Sequence, residues 1–480
     1  MSDILIKNGW VFNGQGENML TRSDLLVHDG KIQAIGTIQN SRLGAKVING
    51  EGRIVSPGFI DLSSLLDNDV SQNSSEDYSS LLRQGITTAV IGGRGESIFQ
   101  HFSRQPLQKT KLETKLGKGD VRERVLQLFI KSCPNLNLAS FLGWTTLNNW
   151  GIKNSLQFSL FLDQIQHNFA GLSLEVREEH QEEVLKQLTE IAPILSKRGK
   201  NLMLFFPLSL PDTLLIRSLG ELSLNHQITI AFNCPLLGCF TSVSDMILSL
   251  AEEENKKGAN LIFQVWPYDS IQYELRAAEK LLDSQLNSIK NLEKTINSSF
   301  LFGFQIPMML QGKTVGEIKR NWDMNTKDTL SKINSLFPDN HFKILIPYHL
   351  NEGWWSSAFT YVGFDSTFIV HNNSYGPNII SGVNHFLKTH LSNTPADKWP
   401  SALAKITSQP ALMAGLDNRG FLQKDYLADI VIINPDKVQS LGDYQNPSYQ
   451  GEGIEVVIIN GQVVWQKDRV WKRKVGKLLI

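Results

Sequence analysis

Side chains that could act as nucleophiles or metal ligands are sparse along this 480-residue chain. No serine lies in a Gly-x-Ser-x-Gly motif, and neither Cys133 nor Cys234 has a histidine nearby in the sequence, so no activated nucleophile is indicated. The glycine-rich "GGRGES" lacks the Lys-Ser/Thr of a phosphate-binding loop. Among ten histidines, only His349 and His371 fall near predicted loops at strand ends. A lone loop histidine is more often solvated than a ligand.

Any functional site must be positioned by strands and helices, which the sequence predicts as apolar runs alternating with helical patterns. The strand candidates are "IVSPGFIDL", "TTAVIGG", "LASFLGW", "GLSLEV", "LMLFF", "ITIAF", "LIFQVW" and "FTYVGF". Between them, stretches such as "EEHQEEVLKQLTEIAPILSK" carry apolar residues on one helical face. Runs apolar on both faces indicate a parallel sheet covered by helices. Eight repeats favour an α/β fold with a closed (β/α)8 TIM barrel.

The two ends of the chain show a different sequence pattern. Short strand-like runs with alternating apolar residues are separated by Asn-Gly or Asp-Gly turns. Gly30 and Gly50 are predicted to supply the positive φ of such turns. The shared pattern predicts one discontinuous β-sandwich domain from residues 1–56 and 412–480, with the barrel at 57–411. A longer, more charged stretch near 275–340 predicts a helical insertion in the barrel.

Composition excludes several classes of protein. Lys plus Arg and Asp plus Glu both number 47, which argues against a general binder of nucleic acid or anionic membranes. Three cysteines without a Cys-x-x-Cys pair fit a reducing compartment. With neither a signal peptide nor an apolar span in the sequence, we expect a cytoplasmic protein with a small-molecule ligand. Homo-oligomerisation stays open.

Six segments in the same order resemble the amidohydrolase superfamily and, within it, the N-acyl-D-amino-acid deacylases, or D-aminoacylases. They are "DILIKNGWVFNGQGE", "VHDGKIQAIG", "EGRIVSPGFID", "GITTAVIGGRGES", "GKTVGEIKRNWDMNTKDTL" and "TSQPALMAGLDNRGFLQKDYLADIVIINPDKV". The likeness covers nearly the whole chain. It implies a barrel with a terminal β domain and hydrolysis of non-peptide carbon–nitrogen bonds at a zinc centre.

The resemblance also implies which positions should hold the metal, and most of them carry other side chains. Zinc requires imidazole, thiolate or carboxylate ligands and an open position for water. The family's ligand positions fall here on Ser63, Leu65, Arg94, Trp144, Phe205 or its neighbour, Phe232 or Asn233, and Asp365. Only Asp365 is a metal ligand in type. The sequence therefore predicts no metal site and no cofactor.

Arg94 replaces the expected cysteine by a permanent cation, which would repel any metal ion. Barrel strands bring their carboxyl ends to one face, so Ser63, Arg94 and Asp365 should share a region. A buried guanidinium needs an anion, so we expect Arg94 to pair with Asp365 and to contribute a few kcal/mol to stability.

The same alignment with the family implies that the substrate-binding residues also differ from those of the family. His371 resembles the first residue of a family His-Pro-Arg motif, with Tyr375 in register, while Asn373 stands where an arginine would bind the substrate's carboxylate. The predicted binding residues are Ser63, Arg94, Trp144, Asn233, His371, Asn373 and Tyr375.

Three functions remain open. The first is a D-aminoacylase-like protein that has lost metal-dependent hydrolysis and keeps the barrel for binding or assembly. The second is a metal-independent hydrolase with Asp365 as general base and Arg94 stabilising the oxyanion. A carboxylate stabilised by an adjacent arginine is a weak base, which counts against this mechanism. The third is a small-ligand sensor whose pocket is closed by Trp144 and Phe205.

Overall fold

The computed structural model describes most of the chain. The residues outside the description are 1–2, 16–19, 40–43, 68–78, 98–134, 165–168, 284–291, 303–305, 338–342, 367–377, 393–395, 444–448, 467–468, 472–473 and 480. The described residues form a mixed α/β fold with an antiparallel-rich sheet from the two ends and parallel strands between them.

Strands from both ends of the chain belong to one nine-stranded sheet. They are β1 (Ile4–Val11), β2 (Thr21–His28), β3 (Lys31–Gly36), β4 (Lys46–Asn49), β5 (Ile54–Pro57), β18 (Ile430–Ile433), β19 (Ile454–Ile459), β20 (Gln462–Gln466) and β21 (Arg469–Val470). The two ends meet where β5 pairs antiparallel with β18, with Val431 opposite Ser56. Gly30 has the predicted positive φ of 76°, but the prediction for Gly50 is wrong, because the left-handed residue of that turn is Gly52.

All eight predicted strand runs of the central region are present, and they pair in parallel. They are β6 (Phe59–Asp61), β7 (Ile86–Ile91), β8 (Asn137–Ser140) followed by β9 (Leu142–Gly143), β10 (Gly171–Glu175), β11 (Asn201–Phe205), β12 (Ile230–Asn233), β13 (Leu261–Val265) and β17 (Thr360–Val362). One sheet runs β6-β7-β8 and a second runs β9-β10-β11-β12-β13-β17. The Lys405–Ile406 segment accepts hydrogen bonds from β6 and from β17, which links the first run to the last.

Alternate side chains of these strands enter two different cores. On β12, Ile230 and Phe232 pack in the large cluster that includes the helices. Ala231, between them, packs in a smaller cluster with Met203 and Tyr361. The next residue, Asn233, therefore projects to the side of the smaller cluster, which we call the inner side of the strands.

Helices connect and cover the strands. They are α1 (Ser79–Arg83), α2 (Trp144–Asn149), α3 (Ser155–Gln164), α4 (Gln181–Ser196), α5 (Thr213–His226), α6 (Thr241–Lys256), α7 (Leu275–Asp283), α8 (Leu292–Asn297), α9 (Val315–Trp322), α10 (Thr326–Leu336), α11 (Glu352–Ser356), α12 (Asn378–Leu387), α13 (Trp399–Ala404) and α14 (Ser408–Met413). The predicted apolar face of α4 is buried. Within the described parts of the chain, no helix has the length and apolarity needed to cross a membrane.

The insertion between β13 and β17 contains more than the expected helices. Helices α7 to α10 lie within it, and they accompany a three-stranded antiparallel sheet. That sheet consists of β14 (Ser270–Glu274), β15 (Phe300–Phe302) and β16 (Lys343–Pro347), with β16 in the middle. The two outer strands each pair with a segment that follows much later in the chain, so local sequence patterns do not reveal the sheet.

Lys405 is a buried lysine next to the first and last parallel strands. It is 3% exposed, and its Nζ donates to the carbonyl oxygens of Ser357 and Thr360 and to the Thr360 hydroxyl. No carboxylate pairs with it among the described residues. Burial consequently lowers its pKa from 10.5 to about 7.

This pKa gives Lys405 a predictable effect on stability. Between pH values of about 7 and 10.5 the unfolded chain binds this proton and the folded chain does not, so stability rises with pH. The free energy of unfolding of the wild type, relative to Lys405→Met, should increase across this window by at most about 1.4 kcal/mol per pH unit. Denaturant titrations of both proteins at pH values of about 7.5 and 9.5 measure this difference in the free energy of unfolding. The contributions of other titrating groups are the same in both proteins and cancel in the difference. A difference independent of pH would show that the three hydrogen bonds keep Lys405 charged.

Candidate ligand-binding site

Polar side chains collect where the parallel strands end. We call Asp61, Ser63, Arg94, Asn233, Gln264 and Asp365 the strand-end site. Each lies at, or within three residues of, the carboxyl end of its strand: β6, β7, β12, β13 or β17. Carboxyl ends of parallel strands in α/β proteins are the usual place for ligands.

The predicted pair between Arg94 and Asp365 is present. Arg94 Nη2 lies 3.0 Å from Asp365 Oδ1. The guanidinium also lies over the ring of Phe205, with Cζ 5.3 Å from the ring centroid. Arg94 Nε and Asp365 Oδ1 are buried without a hydrogen-bond partner among the described residues, so the contact is an ion pair without good hydrogen-bond alignment.

The expected contribution of this pair to stability must be revised downward. The Arg94 side chain is 39% exposed and that of Asp365 is 18% exposed. Water therefore screens the pair, and we expect about 1 kcal/mol or less from it instead of a few kcal/mol. The pair is better suited to shaping the charge of the site than to stabilising the fold.

Asp61 organises the backbone around this ion pair. It is fully buried, and its Oδ1 accepts from Ser63 N, Ser63 Oγ and Phe364 N, while Oδ2 accepts from Ser366 N at 2.8 Å. Burial raises the pKa of Asp61, and the hydrogen bonds from Ser366 partly offset this rise. Through these bonds one carboxyl group joins the loop after β6 to the loop after β17.

The loop after β17 holds Asp365 in an uncommon conformation. Asp365 has a φ of 50°, in the left-handed region, and its backbone N–H donates to Ser63 Oγ at 3.3 Å. Gly363 allows close packing, because a Cβ there would lie 2.1 Å from Gln264 Nε2 and 2.7 Å from Ser63 Oγ and would force these side chains to shift. Ser63, Gln264 and the Asp365 loop are therefore in close contact.

Trp144 directly follows β9, and its ring packs against a helix. It begins α2, is 6% exposed, and packs edge-to-face against Phe158 of α3 with ring centroids 5.8 Å apart. Phe205 instead lies beside Arg94. No contact between the Trp144 and Phe205 rings is found within the described residues. His371, Asn373 and Tyr375 lie outside the residues that the structure describes.

The donor set of the strand-end site does not fit a zinc ion. Within the described ranges, no three His, Cys, Asp or Glu side chains form a group that could hold a metal. Both oxygens of Asp61 already accept backbone N–H groups, and Asp365 faces a guanidinium. Arginine, phenylalanine and a neutral amide complete the surroundings, and none of these is a common zinc ligand.

Sequence reasoning missed Gln264. It is fully buried in β13, and its Oε1 accepts from the hydroxyl of Tyr361 at 3.2 Å. A single glutamine inside the apolar run "LIFQVW" was the available signal, because a buried polar residue is rarer and more informative than an apolar one.

The chain is similar to a D-aminoacylase and to an N-acyl-D-glutamate deacylase, although no family model matches it. An N-acyl-D-glutamate deacylase of Alcaligenes xylosoxydans xylosoxydans is 21% identical over 96% of this chain and 93% of its own. A D-aminoacylase of the same organism is 34% identical over 79 residues, and this match spans only 16% of each chain.

Solved structures show the same relationship over the full length. The N-acyl-D-glutamate deacylase from Bordetella bronchiseptica, complexed with zinc and a phosphonate inhibitor, matches with a TM-score of 0.72 and 18% identity over 100% of this chain and 99% of that one. A D-aminoacylase crystal structure matches with a TM-score of 0.71 and 18% identity over the same shares. The chain therefore has the mixed α/β fold of these amidohydrolases, and identities this low establish the fold alone.

Proposed function

We propose that this chain is a D-aminoacylase-like protein that has lost metal-dependent hydrolysis and uses the strand-end site to bind a small molecule. In this proposal the eight parallel runs close into a (β/α)8 barrel at 57–411, residues 1–56 and 412–480 form the second domain, and the protein works in the cytoplasm. The carrying observation is the Arg94–Asp365 ion pair, in which a permanent cation neutralises the one carboxylate kept from the implied ligand set.

Three physical points support binding without hydrolysis. A guanidinium at the site repels divalent cations and cannot activate water as a metal does. Asp365 Oδ1 already faces the Arg94 guanidinium at 3.0 Å, so this oxygen is engaged in an ion pair. Asn233 and Gln264 present buried polar atoms with no partner among the described residues, which is typical of groups that await a ligand or water.

Amine release from N-acetyl-D-glutamate and N-acetyl-D-leucine, with and without added zinc, tests the proposal. We expect no release above the protein-free rate and well under one equivalent of zinc in protein purified from zinc-supplemented medium. EDTA should leave the melting temperature unchanged, because no metal contributes to stability. The D-aminoacylase of Alcaligenes xylosoxydans xylosoxydans, assayed in parallel, is the positive control. One equivalent of zinc together with EDTA-sensitive hydrolysis would overturn the proposal.

A further inference from the structure

Two buried amide groups in the strand-end site carry polar atoms without partners. Asn233 is 1% exposed and Gln264 is fully buried. Asn233 Oδ1, an acceptor, and Gln264 Nε2, a donor, make no hydrogen bond with any described residue. Leaving such groups unpaired is unfavourable, so a group that pairs with both would be held there.

The strand register brings the two amides side by side. Phe232 of β12 is opposite Phe263 of β13, and their rings stack in the outer core with centroids 4.4 Å apart. The next residues, Asn233 and Gln264, consequently occupy neighbouring positions and project to the inner side, since side chains alternate along a strand. Neighbouring strands lie about 4.8 Å apart, so one small group can reach both amides.

Contacts around Gln264 fix which of its atoms faces the site. The Tyr361 hydroxyl donates to Gln264 Oε1, which leaves Nε2 to donate elsewhere. Nε2 occupies the space over Gly363 that a Cβ would fill, and Ser63 Oγ lies next to the same space. The site therefore offers a donor from Gln264 and an acceptor from Asn233.

The charge of the site selects among ligands that could satisfy these two atoms. The Arg94–Asp365 pair is neutral as a unit, and the two amides carry no charge. A carboxylate accepts hydrogen bonds only, so it would leave Asn233 Oδ1 facing another acceptor. A carboxamide presents a carbonyl oxygen for Gln264 and an N–H for Asn233. On these grounds, and resting on the proposed binding function, we infer that Asn233 and Gln264 form a subsite for a neutral carboxamide group that discriminates against carboxylates.

Propionamide and propionate, which match in size and shape, test this inference. Ligand-observed NMR titrations of the full chain should give a Kd for propionamide at least about tenfold lower than for propionate. Asn233→Leu and Gln264→Leu should each weaken propionamide about fivefold or more. Gln187→Leu, which removes a glutamine amide from the outer surface of α4, is the matched control and should leave binding unchanged. The melting temperature of each variant shows whether it is folded.

The outcomes separate this inference from the proposed function. Equal binding of the two ligands, or propionamide binding unaffected in both folded variants, overturns the inference. Failure of propionamide to bind up to about 100 mM also overturns it, and would mean that water or a direct contact between the two amides satisfies them. In each of these cases the absence of zinc and of amine release leaves the proposed function standing. Zinc-dependent hydrolysis would overturn the proposed function itself.

Discussion

Replacing Asp429 by alanine should lower the free energy of unfolding by about 3–5 kcal/mol, because it leaves the buried guanidinium of Arg419 without its anion. Arg419 is 3% exposed and Asp429 is 5% exposed, and the two side chains are in direct contact. Asp429 Oδ1 accepts from Asn460 N at 2.7 Å, and Oδ2 accepts from Asn137 Nδ2 at 3.0 Å. Urea denaturation followed by far-UV circular dichroism measures the loss.

The position of this network explains why the loss should be large. Asn137 begins β8 in the parallel region, whereas Asn460 follows β19 in the terminal sheet. Asn460 Nδ2 in turn donates to Asn137 Oδ1 and to the carbonyl of Val475. Asp429 thus lies among groups from the terminal sheet, the parallel strands and the last residues of the chain. Its loss removes hydrogen bonds on which all three depend.

Two comparisons keep the Asp429 prediction specific. Asp436→Ala, in an exposed turn after β18, should change stability by less than about 0.5 kcal/mol. The double variant Arg419→Met/Asp429→Leu should recover only the part of the loss that comes from the unpaired guanidinium, since Asn460 N and Asn137 Nδ2 still lack their acceptor. A loss below about 1 kcal/mol for Asp429→Ala would contradict the prediction and imply that water reaches Arg419.

Local sequence patterns were sufficient for the strands but not for every residue inside them. The runs "GLSLEV" and "LMLFF" predicted β10 and β11 because strands buried on both faces need continuous apolar residues. The Arg94–Asp365 pair was predictable from the resemblance together with the cost of burying a charge. The strand prediction depends on a requirement within a short segment, whereas the ion pair was predictable because the resemblance placed both residues at strand ends.

Contacts between distant segments that neither the resemblance nor a shared sequence pattern indicated were not predictable. Gln264 contacts Tyr361 and Gly363, which lie about 100 residues later in the chain. Only the register of β12 and β13 places Gln264 beside Asn233. The sheet in the insertion was missed for the same reason. Trp144 directly follows β9, as the resemblance indicated, but the packing of its ring against α3 was not predicted.

The second large effect is expected at Asp61, where alanine should destabilise the fold by about 3 kcal/mol or more. The substitution removes one carboxyl group that accepts from Ser63 N, Ser63 Oγ, Phe364 N and Ser366 N. Three of these donors are backbone N–H groups held away from water, and each pays a desolvation cost when it is left unpaired. Thermal and urea denaturation measure the loss.

Two matched variants separate the roles of hydrogen bonding and charge at Asp61. Ser63→Ala removes one of the four bonds to Asp61 and also the bond from Asp365 N to Ser63 Oγ, so it should cost about 1–2 kcal/mol. Asp61→Asn keeps an acceptor for the donors at Oδ1 but turns an N–H toward Ser366 N, so it should cost less than Asp61→Ala and more than Ser63→Ala. Because burial raises the pKa of Asp61, hydrogen bonding rather than negative charge should dominate its contribution. If asparagine proved as damaging as alanine, the charge of Asp61 would have to be essential, and the loop that carries Asp365 would depend on it.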